Sequence, residues 1–296
     1  MHSDWVCMFE SNRDGFHVLP YLIPKTPMCM RCPLGANVTQ TLISSILACS
    51  RPRHSPRLIK EASNREELTK INADPDNWTW TEQARDHWRE ASNRWKDFAD
   101  YAQSTTLTET LDLGNLASIR NDLVLVRECY REAEKVVWHQ AVESLQGGII
   151  FTGQSGIGKT HFLWYLLFRL LQDNQNVLFI VDLHGPILFY LGSIYALADP
   201  CPRHEHLPEN SKGGFLWLLF DTPNASTPIP PVVYSSLCFP IQTPSPNRAH
   251  FSTWLKHRFP VYTAFPIWSI EELRKGTGSR VRTFQNSLGA ILEFVA

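Results

Sequence analysis

The chain has 296 residues, 43% of them hydrophobic, with 28 Lys and Arg against 29 Asp and Glu. That profile excludes a disordered chain and leaves room for one large or two ordinary domains around a buried core. A formal net charge of -1 provides no overall attraction to nucleic acid or to an anionic membrane, so neither is an expected partner.

Seven cysteines, an odd number, suggest reduced thiols rather than a disulfide framework. The first residues include Asp4, Glu10, Arg13 and Asp14, which break the basic and apolar blocks that a secretory leader needs. The most apolar stretch, residues 162–171, contains Arg169 and is shorter than the roughly 20 residues that cross a bilayer. An intracellular protein, cytoplasmic or nuclear, is expected.

Residues 1–34 carry Pro20, Pro24, Pro27 and Pro33, each without a backbone donor and each turning its predecessor away from helix, so an irregular lead segment is predicted. Residues 34–49 suit a short apolar helix. RPRHSPRLIK, residues 51–60, is a basic loop, either a solvated linker or a phosphate or import contact. Thr79 and Glu82 have capping-box spacing, which predicts a helix that sets Trp88, Ala91, Trp95, Phe98 and Ala102 on one face. Leu116, Ile119, Leu123, Val126, Tyr130, Ala133 and Val137 recur in steps of three and four, predicting a second, long helix that Gly147 and Gly148 end.

From residue 148 short apolar runs alternate with helical segments, the pattern of a mainly parallel sheet flanked by helices. Strands are predicted at 149–152, 177–181, 215–220 and 232–241, with a proline-rich surface loop at 222–231. The expected organisation is a mostly helical region, 1–110, followed by an α/β domain, 111–296.

GQSGIGKT, residues 153–160, lies where that pattern places a strand-to-helix turn. Gly153, Gly158, Lys159 and Thr160 satisfy G-x-x-x-x-G-K-[ST], the phosphate loop of P-loop NTPases. Glycines let the backbone amides of Gly153, Gln154, Ser155, Gly156, Ile157, Gly158, Lys159, Thr160 and His161 turn toward an anion, and the helix start adds a positive dipole. Lys159 suits the β and γ phosphates of ATP, and the Thr160 hydroxyl suits the Mg2+ shell. His161 is equally suited to a structural role.

A carboxylate at a strand end must join that shell, and Asp221 after LWLLF competes with Asp182 after VLFIV. Asp221 is preferred, in which case another strand intervenes in sequence before it, as in ATPases of the additional-strand type; Asp182 would give the layout of kinases and GTPases. Beyond it, Thr243, Ser245 and Asn247 are polar groups able to sense a γ phosphate, with Arg248 the nearest cation; Ser245 and Asn247 equally suit helix capping. The predicted active groups are Lys159 and Asp221, with Ser245 or Arg248 as sensor. No N-K-x-D segment is present, which favours ATP over GTP.

IIFTGQSGIGKTHFLWYLLFRLL, LWLLFDTPNASTPIPPVV, QTPSPNRAHFSTWLK and YTAFPIWSIEEL, in that order, resemble the P-loop ATPase core of Crinkler and retrotransposon-hot-spot-type proteins. LVRECY at 125–130 and the Trp268, Glu271, Glu272 group fit the same layout. The resemblance implies an ATPase of the AAA+/STAND-like kind with ATP and Mg2+ as cofactors, and a protein partner for a nucleotide-driven switch. Thr222 stands where many such ATPases carry a water-polarising glutamate, so binding without hydrolysis, as in a regulatory module, is the alternative. The single C-x-x-C at Cys29 and Cys32 and the Cys201, His204, His206 group are weak metal candidates, the latter within a proline-bounded loop.

Overall fold

The computed structural model describes residues 5–8, 21–24, 64–113, 116, 123–144, 147–181, 185–222, 229–244 and 252–278. The helix expected at 34–49, the basic loop 51–60 and the Cys29, Cys32 pair lie outside them. Within the lead segment, β1 (Trp5–Met8) and β2 (Tyr21–Pro24) pair antiparallel, so it is not wholly irregular.

The elements then run α1 (Arg65–Ala73), β3 (Trp78–Thr79), α2 (Glu82–Asp86), β4 (Trp88–Glu90), α3 (Asn93–Ser104), β5 (Thr110–Asp112), β6 (Leu123–Leu125) and α4 (Glu128–Glu143). There follow β7 (Ile149–Thr152), α5 (Lys159–Gln172), β8 (Val177–Ile180), β9 (Ile187–Tyr190), β10 (Ser193–Leu197) and β11 (Glu209–Asn210). β12 (Leu216–Thr222), β13 (Cys238–Pro244), α6 (Ser252–Arg258), β14 (Val261–Ala264) and α7 (Ile270–Gly278) complete the series.

One eight-stranded sheet organises these elements, in the order β14-β7-β13-β12-β8-β9-β10-β4. Its first five strands are mutually parallel. The last three continue it antiparallel; a tight turn at Leu191 and Gly192 joins β9 to β10, whereas β4 is contributed from far earlier in the chain. Because successive side chains on a strand point to opposite faces, the apolar runs fill two separate layers. Phe151, Phe179, Trp217, Leu219 and Phe239 pack under α3, α4 and α5. Ile150, Leu178, Leu216, Leu218 and Cys238 pack on the other face with Val232, Val233 and Trp254 of α6.

Residues 64–112 share this core instead of parting from it at residue 110. β4 is the last strand of the sheet, and Leu68, Trp95, Phe98 and Ala102 lie in the same cluster as α5, the helix after the glycine loop. Trp95 stacks on Trp164 of α5 at 5.8 Å and 7° between planes. Arg65 bonds Asp173 at 2.7 Å and places its guanidinium 4.4 Å from the Trp138 ring. The Asn72 carbonyl accepts from Trp78 Nε1 and Asn176 Nδ2 at 2.8 and 2.7 Å, tying α1 to the start of β8.

Two expected helices differ from those observed. The capping residue is Thr81, whose hydroxyl accepts from the Ala84 amide at 3.1 Å, and the resulting helix ends after five residues. Trp88 belongs instead to β4, where its indole donates to the His206 carbonyl at 2.6 Å; only Trp95, Phe98 and Ala102 share one helical face, in α3. The long helix begins at Glu128, not Leu116, because Leu123–Leu125 pairs antiparallel with Thr110–Asp112. Leu123 is exposed and Val124 buried, the alternation of a strand that the three-and-four spacing concealed.

The strands expected at 149–152, 177–181 and 215–220 correspond to β7, β8 and β12. That expected at 232–241 begins at Cys238, since Pro231–Tyr234 forms a 3-10 turn that buries Val232 and Val233. Gly148, at φ 145°, admits close approach: an added Cβ would lie 2.7 Å from the Pro240 carbonyl oxygen. Truncating Trp164, which is 2% exposed among Trp95, Phe98 and Phe179, should cost about 3–5 kcal/mol. A urea unfolding midpoint for Trp164→Ala within error of wild type would contradict this account of the core.

Candidate functional site

The parallel strands direct their carboxyl ends to one edge of the sheet, the usual location of ligand sites in open α/β sheets. There the loop 153–158 connects β7 to α5. Three of its glycines have positive φ, Gly153 at 144°, Gly156 at 79° and Gly158 at 93°, which a residue with a Cβ adopts only with strain. Two of these positions are also crowded: an added Cβ would meet Ile157 Cδ1 at Gly153 and the Tyr130 hydroxyl at Gly158. Gln154, Ser155 and Gly156 are exposed, Ile157 is buried, and Lys159, Thr160 and His161 are half-buried in the first turn of α5.

Lys159 Nζ donates to the Gly153 and Gln154 carbonyls at 2.8 and 2.9 Å, so the ammonium folds back over its own loop. Burial lowers its pKa, with the Asp221 carboxylate opposing. Thr160 Oγ1 donates to Asp221 Oδ2 at 2.6 Å. That bond joins α5 to β12 although β13 stands between β7 and β12 in the sheet.

Burial raises the Asp221 pKa above the ordinary carboxylate value, while the Thr160 hydroxyl, the Thr222 amide and Lys159 pull it back down. Thr243 is the register partner of Asp221 on β13. Its hydroxyl also pulls the carboxyl down, although it makes no hydrogen bond of ordinary geometry. Thr152, at the end of β7, likewise buries a hydroxyl without a hydrogen bond. Ser245, Asn247, Arg248 and the competing Asp182 lie outside the described residues.

Thr222 turns to the opposite face, where its hydroxyl accepts from Gln242 Nε2 at 2.8 Å. The Gln242 oxygen accepts from Trp254 Nε1 at 2.6 Å. Thr222 is thus committed to a buried polar chain reaching α6, and it carries no carboxylate to polarise a water.

Three residues touch the loop, and a fourth, Glu272, holds one of them, in ways that local spacing did not foreshadow. The Arg127 side chain, fully buried, donates through Nη1 to the Ile157 carbonyl at 2.7 Å and through Nη2 to the Pro266 carbonyl at 3.1 Å. Its Nε pairs with Glu272 of α7 at 2.9 Å, and the Trp268 ring lies 4.2 Å from its guanidinium carbon. Trp268 Nε1 donates to the Gly156 carbonyl at 3.1 Å, and the Tyr130 hydroxyl donates to the Gly158 carbonyl at 2.7 Å. Burial pushes the Tyr130 phenol well up, which keeps it a donor. Burial also favours protonating Glu272, but the bonds from Arg127 and Ser269 outweigh it and hold the carboxyl below its ordinary value.

Arg127 and Glu272 are 145 positions apart, so no periodicity links them; only the recurrence of LVRECY and Trp268, Glu271, Glu272 in the resemblance pointed to these segments. The Cys201, His204, His206 group is not a metal cage. His204 Nδ1 bonds the Ser235 hydroxyl at 2.8 Å, and His206 Nδ1 accepts from the Arg203 amide at 3.3 Å. Among the described residues no set of three or more His, Cys, Asp and Glu is placed to hold a metal ion.

No protein-family model matches the chain, and no solved structure matches it. Crinkler effector protein 15 and Crinkler effector protein 16 of Phytophthora infestans are each 34% identical to it over 129 residues. The match covers 42% of this chain and only 19% of each effector. The chain is thus related to Crinkler effectors over part of its length. Among the described residues no helix is long and apolar enough to cross a membrane.

The raised pKa of Asp221 sets a pH dependence. The folded carboxyl retains its proton where the unfolded one has released it, so this group favours folding at low pH, and that contribution is lost as pH rises through the folded value. Asp221→Asn keeps an acceptor for Thr160 and removes the buried charge. Without nucleotide the variant should therefore be more stable than wild type at pH 7, with the gap narrowing as pH falls toward 4. Urea midpoints at both pH values check this, and a variant weaker at pH 7 would show that the partners more than offset burial.

Proposed function

We propose that the chain is an ATP-binding P-loop NTPase in which Mg2+-dependent hydrolysis drives a conformational switch. The observation that carries this reading is the Thr160 to Asp221 hydrogen bond beside a loop held open by three positive-φ glycines. ATP and Mg2+ fit the residues present. A desolvated carboxylate gains most from a neighbouring cation, Thr243 and Thr152 offer buried hydroxyls without hydrogen bonds, and glycines keep the loop clear of side chains.

In this reading Lys159 exchanges its two carbonyl partners for the β and γ phosphate oxygens, and the loop amides from Gly153 to Thr160 hold the remaining phosphate charge. Thr160 and Asp221 hold the magnesium. Bound there, Mg2+ supplies charge neutralisation and orientation of the phosphate chain. Ser245 and Arg248, on the chain just after β13, are the proposed sensors of the γ phosphate.

The five parallel strands support the P-loop reading, since the loop follows the inner strand β7 and Asp221 ends β12 with β13 standing between the two. The partial relation to Crinkler effectors agrees with the family likeness of the motifs. A second reading, a regulatory module that binds nucleotide without turnover, is favoured by one observation: Thr222 is tied into the Gln242 and Trp254 chain and supplies no base.

Calorimetry with MgATP, MgADP and MgGTP, together with steady-state phosphate release, tests both readings. Lys159→Ala should weaken MgATP binding about tenfold to a hundredfold, the worth of its charged hydrogen bonds, and should abolish any turnover. Tight binding without phosphate release would leave the regulatory reading. Failure of the wild-type protein to bind any of the three nucleotides would reject both.

A further inference from the structure

The contacts around residues 156–158 form a pattern that the nucleotide reading does not itself require. Three successive carbonyls, of Gly156, Ile157 and Gly158, accept hydrogen bonds from three different side chains, Trp268, Arg127 and Tyr130. The donors come from α4 with its preceding residue and from the segment that leads into α7. Each peptide is planar and the described chain contains no cis bond, so the N–H of the following residue points opposite to each held carbonyl. Fixing these carbonyls therefore fixes the amides of Ile157, Gly158 and Lys159 on the side away from the three donors.

We propose that Arg127, Tyr130 and Trp268 are positioning residues that aim those amides at the phosphate chain, and that Glu272 locks them in place from α7. The proposal rests on the nucleotide reading and adds to it a route from α7 to the loop. Arg127 is suited to the central role because its planar fork spans the Ile157 and Pro266 carbonyls and both Glu272 oxygens at once. Glu272 is held in turn by the Ser269 amide at 2.8 Å, and its own amide donates to the Ser269 hydroxyl at 3.1 Å, a reciprocal cap at the start of α7. Trp268 presents its ring 4.2 Å from the guanidinium carbon and donates its indole N–H to the loop. A preorganised donor array loses less on meeting an anion than a mobile one, so the bracket acts on affinity without touching phosphate.

Trp268→Phe keeps an aromatic ring beside Arg127, smaller than the indole, and removes the N–H that holds Gly156. Arg127→Lys keeps the charge and removes the fork. Two measurements on the full chain separate positioning from plain stability: calorimetric affinity for MgATP, and amide NMR line widths of Ile157, Gly158 and Lys159 without nucleotide, each set against the thermal midpoint. The expected result is a fivefold to tenfold loss of MgATP affinity in Trp268→Phe with an unchanged midpoint and broadened amide signals, and a larger loss in Arg127→Lys. Glu272→Gln, which keeps one acceptor oxygen but loses the charge and the second acceptor, should restore only part of the affinity that Glu272→Ala loses.

Wild-type affinity and sharp amide signals in Trp268→Phe would overturn the bracket while leaving the nucleotide reading intact. So would an affinity loss that merely tracks the thermal midpoint across all the variants. Wild-type protein that binds no MgATP would reject the nucleotide reading, while the line widths would still report whether the bracket orders the loop.

Discussion

A single hydrogen bond, 2.6 Å from the Thr160 hydroxyl to the Asp221 carboxylate, constrains much of this molecule. It requires α5 to start directly after the glycine loop and β12 to end beside that start. β13 must run between β12 and β7 and end level with them, so that its Thr243 lies opposite Asp221. The carboxylate is held where burial disfavours its charge, and neighbouring donors offset that cost only in part. A carboxylate kept on such terms at the carboxyl edge of a parallel sheet is the kind that a cation would relieve.

The loop was legible in the sequence because its chemistry is local: eight residues contain the glycines, the lysine and the threonine, and apolar flanks fix their setting. Asp221 was legible for a similar reason, as the polar end of the buried run LWLLF. The order of the parallel strands in the sheet was not legible, because preferring Asp221 implied only that a strand intervenes in sequence before it. What surrounds the loop was not legible, since Arg127 and Glu272 meet only through the fold, and a buried arginine next to an exposed-looking acidic helix has no signature in composition. Thr222 was noted for the carboxylate it lacks; its partner Gln242 emerged only from the pairing of β12 with β13.

The misjudged helices have physical causes. LVLV at 123–126 matches a strand alternation and a helical stripe equally well, and pairing with Thr110–Asp112 decided between them. The Trp88 to Ala102 stripe was split because Trp88 gains a buried carbonyl partner in β4, leaving only the remainder as α3. The same tertiary contacts dissolve the expected boundary near residue 110. Trp95 and Phe98 of α3 pack on Trp164 of α5, the helix that begins at the glycine loop.

The strand β4 has a further consequence for behaviour in solution. An open sheet offers unpaired backbone groups at its margins, and a long flat apolar margin invites other chains to add to it. Here one margin is formed by three residues, Trp88, Arg89 and Glu90, of which the tryptophan is buried and the two charged residues are exposed. So short and charged a border discourages fibrillar stacking, and the segment ahead of the loop protects the solubility of the whole sheet by finishing it.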